Sequence, residues 1–149
     1  MILLQVLDPA ANPLNQNDWA FPLLEILHIS GFALSIGTIA LVDFCLLSGG
    51  KWRESAPAML RQTSNWTLFG LVLMLITGPL IFTTDPNMYL YNRAFRFKIG
   101  AMLVAIVYNY TIHRKVALAD ASGKDRLVAA VSLLLWVSVV AGGIFIAFY

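Results

Sequence analysis

The sequence predicts an all-α integral membrane protein: a four-helix up-down bundle with both termini on the extracytoplasmic side. Two observations set the class and a third sets the direction. The chain of 149 residues is 59% hydrophobic and only 12% charged, about half the charge of an ordinary soluble domain. That leaves too little polar side chain to cover a water-exposed surface. Four apolar segments each approach the roughly 20 residues needed to cross hydrocarbon, and positive charge is unevenly shared between the loops that join them. The single cysteine argues against a disulfide framework or a Cys-built metal centre within one chain. A scattered net charge of +2 gives no nucleic-acid footprint.

Residues 1–19 form an outer-surface N-terminal segment and 20–149 the transmembrane domain. Residues 1–7 are apolar but too short to span, and Asp8, Pro9 and Pro13 break the pattern. The first span, 20–47, is interrupted only by Glu25, His28 and Asp43. Within the loop that follows, 52–60 is expected to lie as an interfacial helix broken at Pro57. The second span, 66–84, is charge-free, with Gly78-Pro79 expected to kink it. Asp85-Pro86-Asn87 is a turn signal. The third span, 95–113, opens with Arg96 and Lys98; the fourth, 127–149, carries no charge. Backbone groups in lipid must bond internally, which makes these segments helices, and short loops make neighbours antiparallel.

Seven basic residues (Lys51, Arg53, Arg61, Arg114, Lys115, Lys124, Arg126) occupy the loops after spans one and three, against three (Arg93, Arg96, Lys98) on the other side. By the positive-inside bias both termini face outward. Trp19, Tyr89, Tyr91 and Tyr149 then make an outer aromatic belt, with Trp52 and Trp66 on the inner side.

Polar side chains inside a bilayer are costly, so each is a functional candidate. Glu25 and His28 are three apart and share a helix face, and Asp43 falls near the same stripe, about 60° round. Lys98, Met102, Asn109 and His113 follow one stripe of the third span. Both spans run outside to inside, which places two groups at two depths. The outer one is Glu25, His28 and Lys98, with Glu25–Lys98 a candidate ion pair; the inner one is Asp43, Asn109 and His113. His113, beside Arg114 and Lys115, also reads as a solvated boundary residue, and Asp43 as a partner for Arg114. His28 is the strongest candidate for a cofactor, metal or proton role. It lies about 28 Å from the inner end of its span, where His113 sits, so the two histidines cannot bind one haem within a chain. Gly31, Ser35, Gly37, Gly142 and Gly143 are candidates for close helix approach. No phosphate loop and no zinc-helix motif appears, and Cys45 has no histidine partner in sequence.

Leu27-His28 followed by small and apolar residues, then Phe95-x-x-Lys98 after a Tyr/Asn-containing loop (Tyr89 to Ala94), resembles a group of small bacterial four-helix membrane proteins. The group includes the CopD-type copper-resistance domains and the HemJ-type protoporphyrinogen oxidases, and its uncharacterised members are the nearer match. The resemblance covers most of residues 20–116. It implies a haem b near the histidine of span one, here His28, and a functional lysine in span three, here Lys98.

These readings converge on an inner-membrane, multi-pass protein that binds a b-type haem in its outer half for electron transfer. His28 is the axial ligand and Lys98 or Arg96 pairs with a propionate; the iron is five-coordinate, bound by Met102, or shared across an oligomer interface. Quinone or an outer redox partner would exchange the electron. Two alternatives stand beside it: copper handling through Met88, Met102 and His28, and a non-catalytic subunit of a homo-oligomer or larger membrane complex.

Overall fold

A computed structural model describes residues 8–148. Helix α1 (Ala20–Ser48) ends where Gly49 and Gly50 take φ of 69° and 53°, a left-handed backbone that side-chain-bearing residues avoid. A short α2 (Gly50–Glu54) follows, then α3 (Ala56–Thr84). Pro57 therefore does not break an interfacial helix. It lies in the first turn of α3, where its missing N–H has no intrahelical partner to lose, and the helix starts well before residue 66. Asp85 caps α4 (Pro86–Tyr91), accepting from Met88 N at 3.0 Å. Asn92 caps α5 (Arg93–Tyr108), accepting from Phe95 N at 3.0 Å. A π-helical turn, Asn109–His113, leads into α6 (Arg114–Leu118). Helix α7 (Asp125–Phe145) and a 3₁₀ turn, Ile146–Phe148, complete the described residues, which contain no strand.

Three helices are long and apolar enough to cross a membrane: α1, α3, and α7 with its terminal turn. The expected third span falls inside the helical run 93–118 but is not one of the three, because the π-turn divides it and α5 alone has only 16 residues. Outward faces are apolar, with Leu23, Phe44, Phe69, Val107 and Leu134 all exposed, as lipid contact requires. Trp19, Tyr91, Trp52 and Trp66 are exposed as a belt demands, but Tyr89 is buried against Phe82 and Phe95. Tyr149 and residues 1–7 lie outside the described residues.

Helix α1 packs along α3 and α7, and α5 along α7. The α1–α3 contact is the tightest. A Cβ at Gly31 would stand 2.9 Å from the Gly70 carbonyl oxygen, and one at Gly70 would collide with Ser35 Oγ. Removing both side chains brings the backbones close enough for Ser35 Oγ to reach Thr67 O at 3.3 Å and for the Thr38 and Thr67 hydroxyls to pair at 2.8 Å. Gly37, read as another close-approach position, meets nothing within 4 Å.

Each end of the molecule is fastened by side chains. Asn12, 1% exposed, donates to Thr83 O at 2.7 Å, and Asn15 donates to Thr84 O at 2.8 Å. These are terminal carbonyls of α3, which have no helical partner, so residues 8–19 dock rather than fray. Asn92 donates to Ile146 O at 3.0 Å, tying the start of α5 to the end of α7. The N-terminal segment, α4 and the end of α7 thus share one end. At the other, the buried Arg53 donates through Nε to Asp125 Oδ2 at 2.7 Å and through Nη2 to the carbonyls of Val116 and Ala119. Ser122 donates to both oxygens of Asp125.

Gly70→Leu should lower the melting temperature or abolish folded yield in detergent, an overpacking cost of about 1–3 kcal/mol or more. Gly100→Ala, which meets no atom within 4 Å, should not. Arg53→Gln should destabilise by about 3–5 kcal/mol by stranding the Asp125 carboxylate. Thermal unfolding followed by circular dichroism measures both, and a silent Arg53→Gln would contradict the role given to the clasp.

Candidate functional site

The polar residues of α1 and α5 meet at two levels. At the N-terminal end lies a cavity of about 970 Å³ walled by α1, α3, α4, α5 and α7, at the top of the range for small-molecule and cofactor sites. Its lining is mostly apolar (Phe21, Phe32, Phe82 and Phe95 among others), with His28, Lys98, Glu25, Met88, Met102, Tyr89 and Asn92 interspersed. Burial, with the Glu25 and Asp85 carboxylates nearby, pushes the Tyr89 phenol above its ordinary range.

His28 is half-buried, and its orientation is fixed from α3. Its Nδ1 lies 2.9 Å from Thr77 Oγ1, and that hydroxyl gives its one proton to Leu73 O at 2.8 Å. The Leu73 bond of that hydroxyl favours Nδ1 as the donor in this contact, the tautomer that leaves the lone pair on Nε2. The ring also hydrogen-bonds the backbone of Met74, one α3 turn before Thr77. Gly78 makes room for the ring, since a Cβ there would stand 3.3 Å from His28 Cε1. Gly78 and Pro79 both line the cavity.

Lys98 enters the cavity over a gap in α7. A Cβ at Gly142 would stand 3.1 Å from Lys98 Cβ, and one at Gly143 3.4 Å from its Nζ. The ammonium sits 5.6 Å from the centre of the Phe32 ring, a cation–π contact. The expected Glu25–Lys98 ion pair does not form. Both side chains border the cavity, but Glu25 stays exposed at the rim while Lys98 turns toward Phe32 and His28. Arg96 is exposed and does not line the cavity, because two residues before Lys98 on a helix faces the opposite way. Met102 is buried on the cavity wall.

At the Arg53 end, His113 Nε2 lies 2.7 Å from Asp43 Oδ1, and Ser132 Oγ donates to Asp43 Oδ2 at 2.8 Å. Asp43, His113 and Ser132 are all at most 1% exposed, and Asn109 is buried one π-turn from His113. His113 is thus a core residue rather than a solvated boundary residue, and Asp43 pairs with it rather than with Arg114. The wider π-turn holds Asn109 and His113 on the same inward side, a geometry often found at functional sites. Ser132 bonds the carboxylate and not the imidazole, so this is no nucleophilic triad. Cys45 is buried in the apolar packing nearby.

Sequence reasoning passed over Thr77, Ser132, Asn92 and Arg53. Hydroxyls in apolar helices mostly bond their own backbone and leave no periodic signal. Arg53 entered only as a loop charge. Among the described residues no group of three or more His, Cys, Asp or Glu side chains could hold a metal ion, so any metal here needs other donors.

No curated protein and no solved structure matches the chain. Residues 22–149, from the first turn of α1 to the chain end, match a family of unknown function, DUF6644, and the chain belongs to that family.

Proposed function

We propose that the protein is a four-span bundle of the bacterial inner membrane that holds a b-type haem in the large cavity and passes electrons through it. The loop charges support both termini facing outward, which places the cavity in the outer half. The observation that carries the reading is a single imidazole, held by Thr77 at Nδ1, on the wall of a largely apolar cavity of about 970 Å³. A metal-binding histidine is commonly oriented in this way, its second nitrogen donating to a fixed acceptor.

The residues fit the group. His28 would hold the iron through its imidazole, and the Lys98 ammonium would offset the charge of a carboxylate drawn into low dielectric. The thioethers of Met102 and Met88 line the same cavity and would be the chain's own further donors to the metal. Bound haem supplies one-electron transfer; the apolar walls exclude water and the Thr77 bond keeps the imidazole in one tautomer. A quinone or an outer redox partner would exchange the electron. Copper handling is the second reading, favoured by one fact: His28, Met88 and Met102 line the same cavity.

Haem titrated into the apoprotein should give a Soret band that His28→Ala abolishes. Thr77→Val should weaken binding about 10–100-fold while leaving the fold intact. An unchanged spectrum in His28→Ala would overturn the assignment. Copper that co-purifies with the wild type but not with a Met88/Met102 variant would favour the second reading.

A further inference from the structure

The Asp43–His113–Ser132 cluster lies apart from the cavity and contains one anomaly. His113 Nδ1 is the only fully buried side-chain nitrogen or oxygen among the described residues without a hydrogen-bond partner. Such groups are rare in native proteins, and an ordered water is a standard reason for one. A small cavity, about 10 Å³, adjoins the ring, close to the least room that one water needs. Its walls combine the apolar Ile39, Val42 and Leu60 with polar side chains: His113, Asn109, Thr38 and Thr67, then Thr63 and Ser64 toward the Arg53 end.

We propose that this cavity is a water site and that the cluster exchanges protons with the solution at the Arg53 end through it. With Asp43 ionised, Nε2–H donates to Oδ1 and Ser132 donates to Oδ2, so Nδ1 is the cluster's one polar atom with no partner, and it is an acceptor. The wall hydroxyls suit a water that donates to Nδ1. One of the Thr38 and Thr67 hydroxyls donates to the other at 2.8 Å, and the second gives its proton to a carbonyl of its own helix. Both oxygens keep lone pairs for the water's second hydrogen. Thr63 and Ser64 are half-buried and the bordering Arg114 is exposed, so the site reaches the surface.

The exchange step balances. A proton passes from the water side to Nδ1 while the Nε2 proton passes to Asp43 Oδ1. This leaves a neutral carboxylic acid and an Nδ1–H imidazole; one proton is gained, and nothing is oxidised or reduced. The imidazole thus connects a carboxylate in the core to solvent that the carboxylate does not touch. Other charged or titratable groups nearby are Arg114 and Tyr110 on the cavity wall and Tyr108, whose hydroxyl donates to Val128 O at 3.0 Å. The proposal does not depend on His28 or on any cofactor.

The chain has only two histidines, so in protein labelled with nitrogen-15 histidine the variant His28→Gln assigns His113. The expected result is an unprotonated Nδ1 with a cross-peak to water, and an Nε2 proton that exchanges with solvent faster than the backbone amides of the adjoining α1 turn. Ser64→Leu, which plugs the solvent side, should slow that exchange about tenfold; Thr63→Leu replaces it if the first variant does not fold. Absence of the water cross-peak, or exchange that neither plug slows, overturns the proposal and leaves a structural strut.

Discussion

In an apolar surrounding every polar side chain of a helix must find a partner inside the protein, and several of those on α1 find theirs across a helix interface. His28 meets Thr77 of α3, Thr38 meets Thr67 of α3, and Asp43 meets both His113 and Ser132. Each bond reaches across a helix interface, and together they span most of the length of α1. Its rotation and depth relative to α3 and α7 are therefore set by hydrogen bonds, whose geometry is stricter than that of apolar packing. The glycine contact between Gly31 and Gly70 brings the backbones close enough for those bonds to form.

The two ends use this constraint differently. At the Arg53 end the polar atoms are matched almost completely, and apolar side chains including Val42, Leu46 and Ala129 close around them. At the N-terminal end the same helices border a large open cavity into which His28 and the Lys98 ammonium project, the ammonium without a hydrogen-bonded or ion-paired partner among the described residues. Leaving a cation without such a partner beside a low-dielectric space is costly. Gly142 and Gly143 clear the path that puts Lys98 there, and Gly78 makes room for His28. An arrangement that omits side chains to admit polar ones suits a site for an amphipathic ligand better than it suits packing.

Much of this was legible in the order of residues. The helix period and the depth of each polar residue placed Glu25, His28 and Lys98 at one level and Asp43, Asn109 and His113 at another, and the structure gathers them so. Pairing was harder to read. Depth groups Asp43 with His113 but does not pair them, since Arg114 is the partner the sequence offers for Asp43, and Glu25–Lys98 does not form, because depth and face leave open which way a long, flexible stem turns. The π-turn at 109–113 and the role of Thr77 carry no periodic signature, since each depends on what the facing helix presents. Tyr89 read as belt because an aromatic near a span end is usually exposed; Phe82 and Phe95 bury it instead.

Haem on His28 in the large cavity is the proposal that a single spectrum tests best. That spectrum is the visible absorption of the protein purified in mild detergent from haem-replete cells, oxidised and then reduced with dithionite. Wild-type protein as isolated should show a Soret band, with α and β bands on reduction. A colourless protein from such cells, with no band on either side of the reduction, would contradict the proposal.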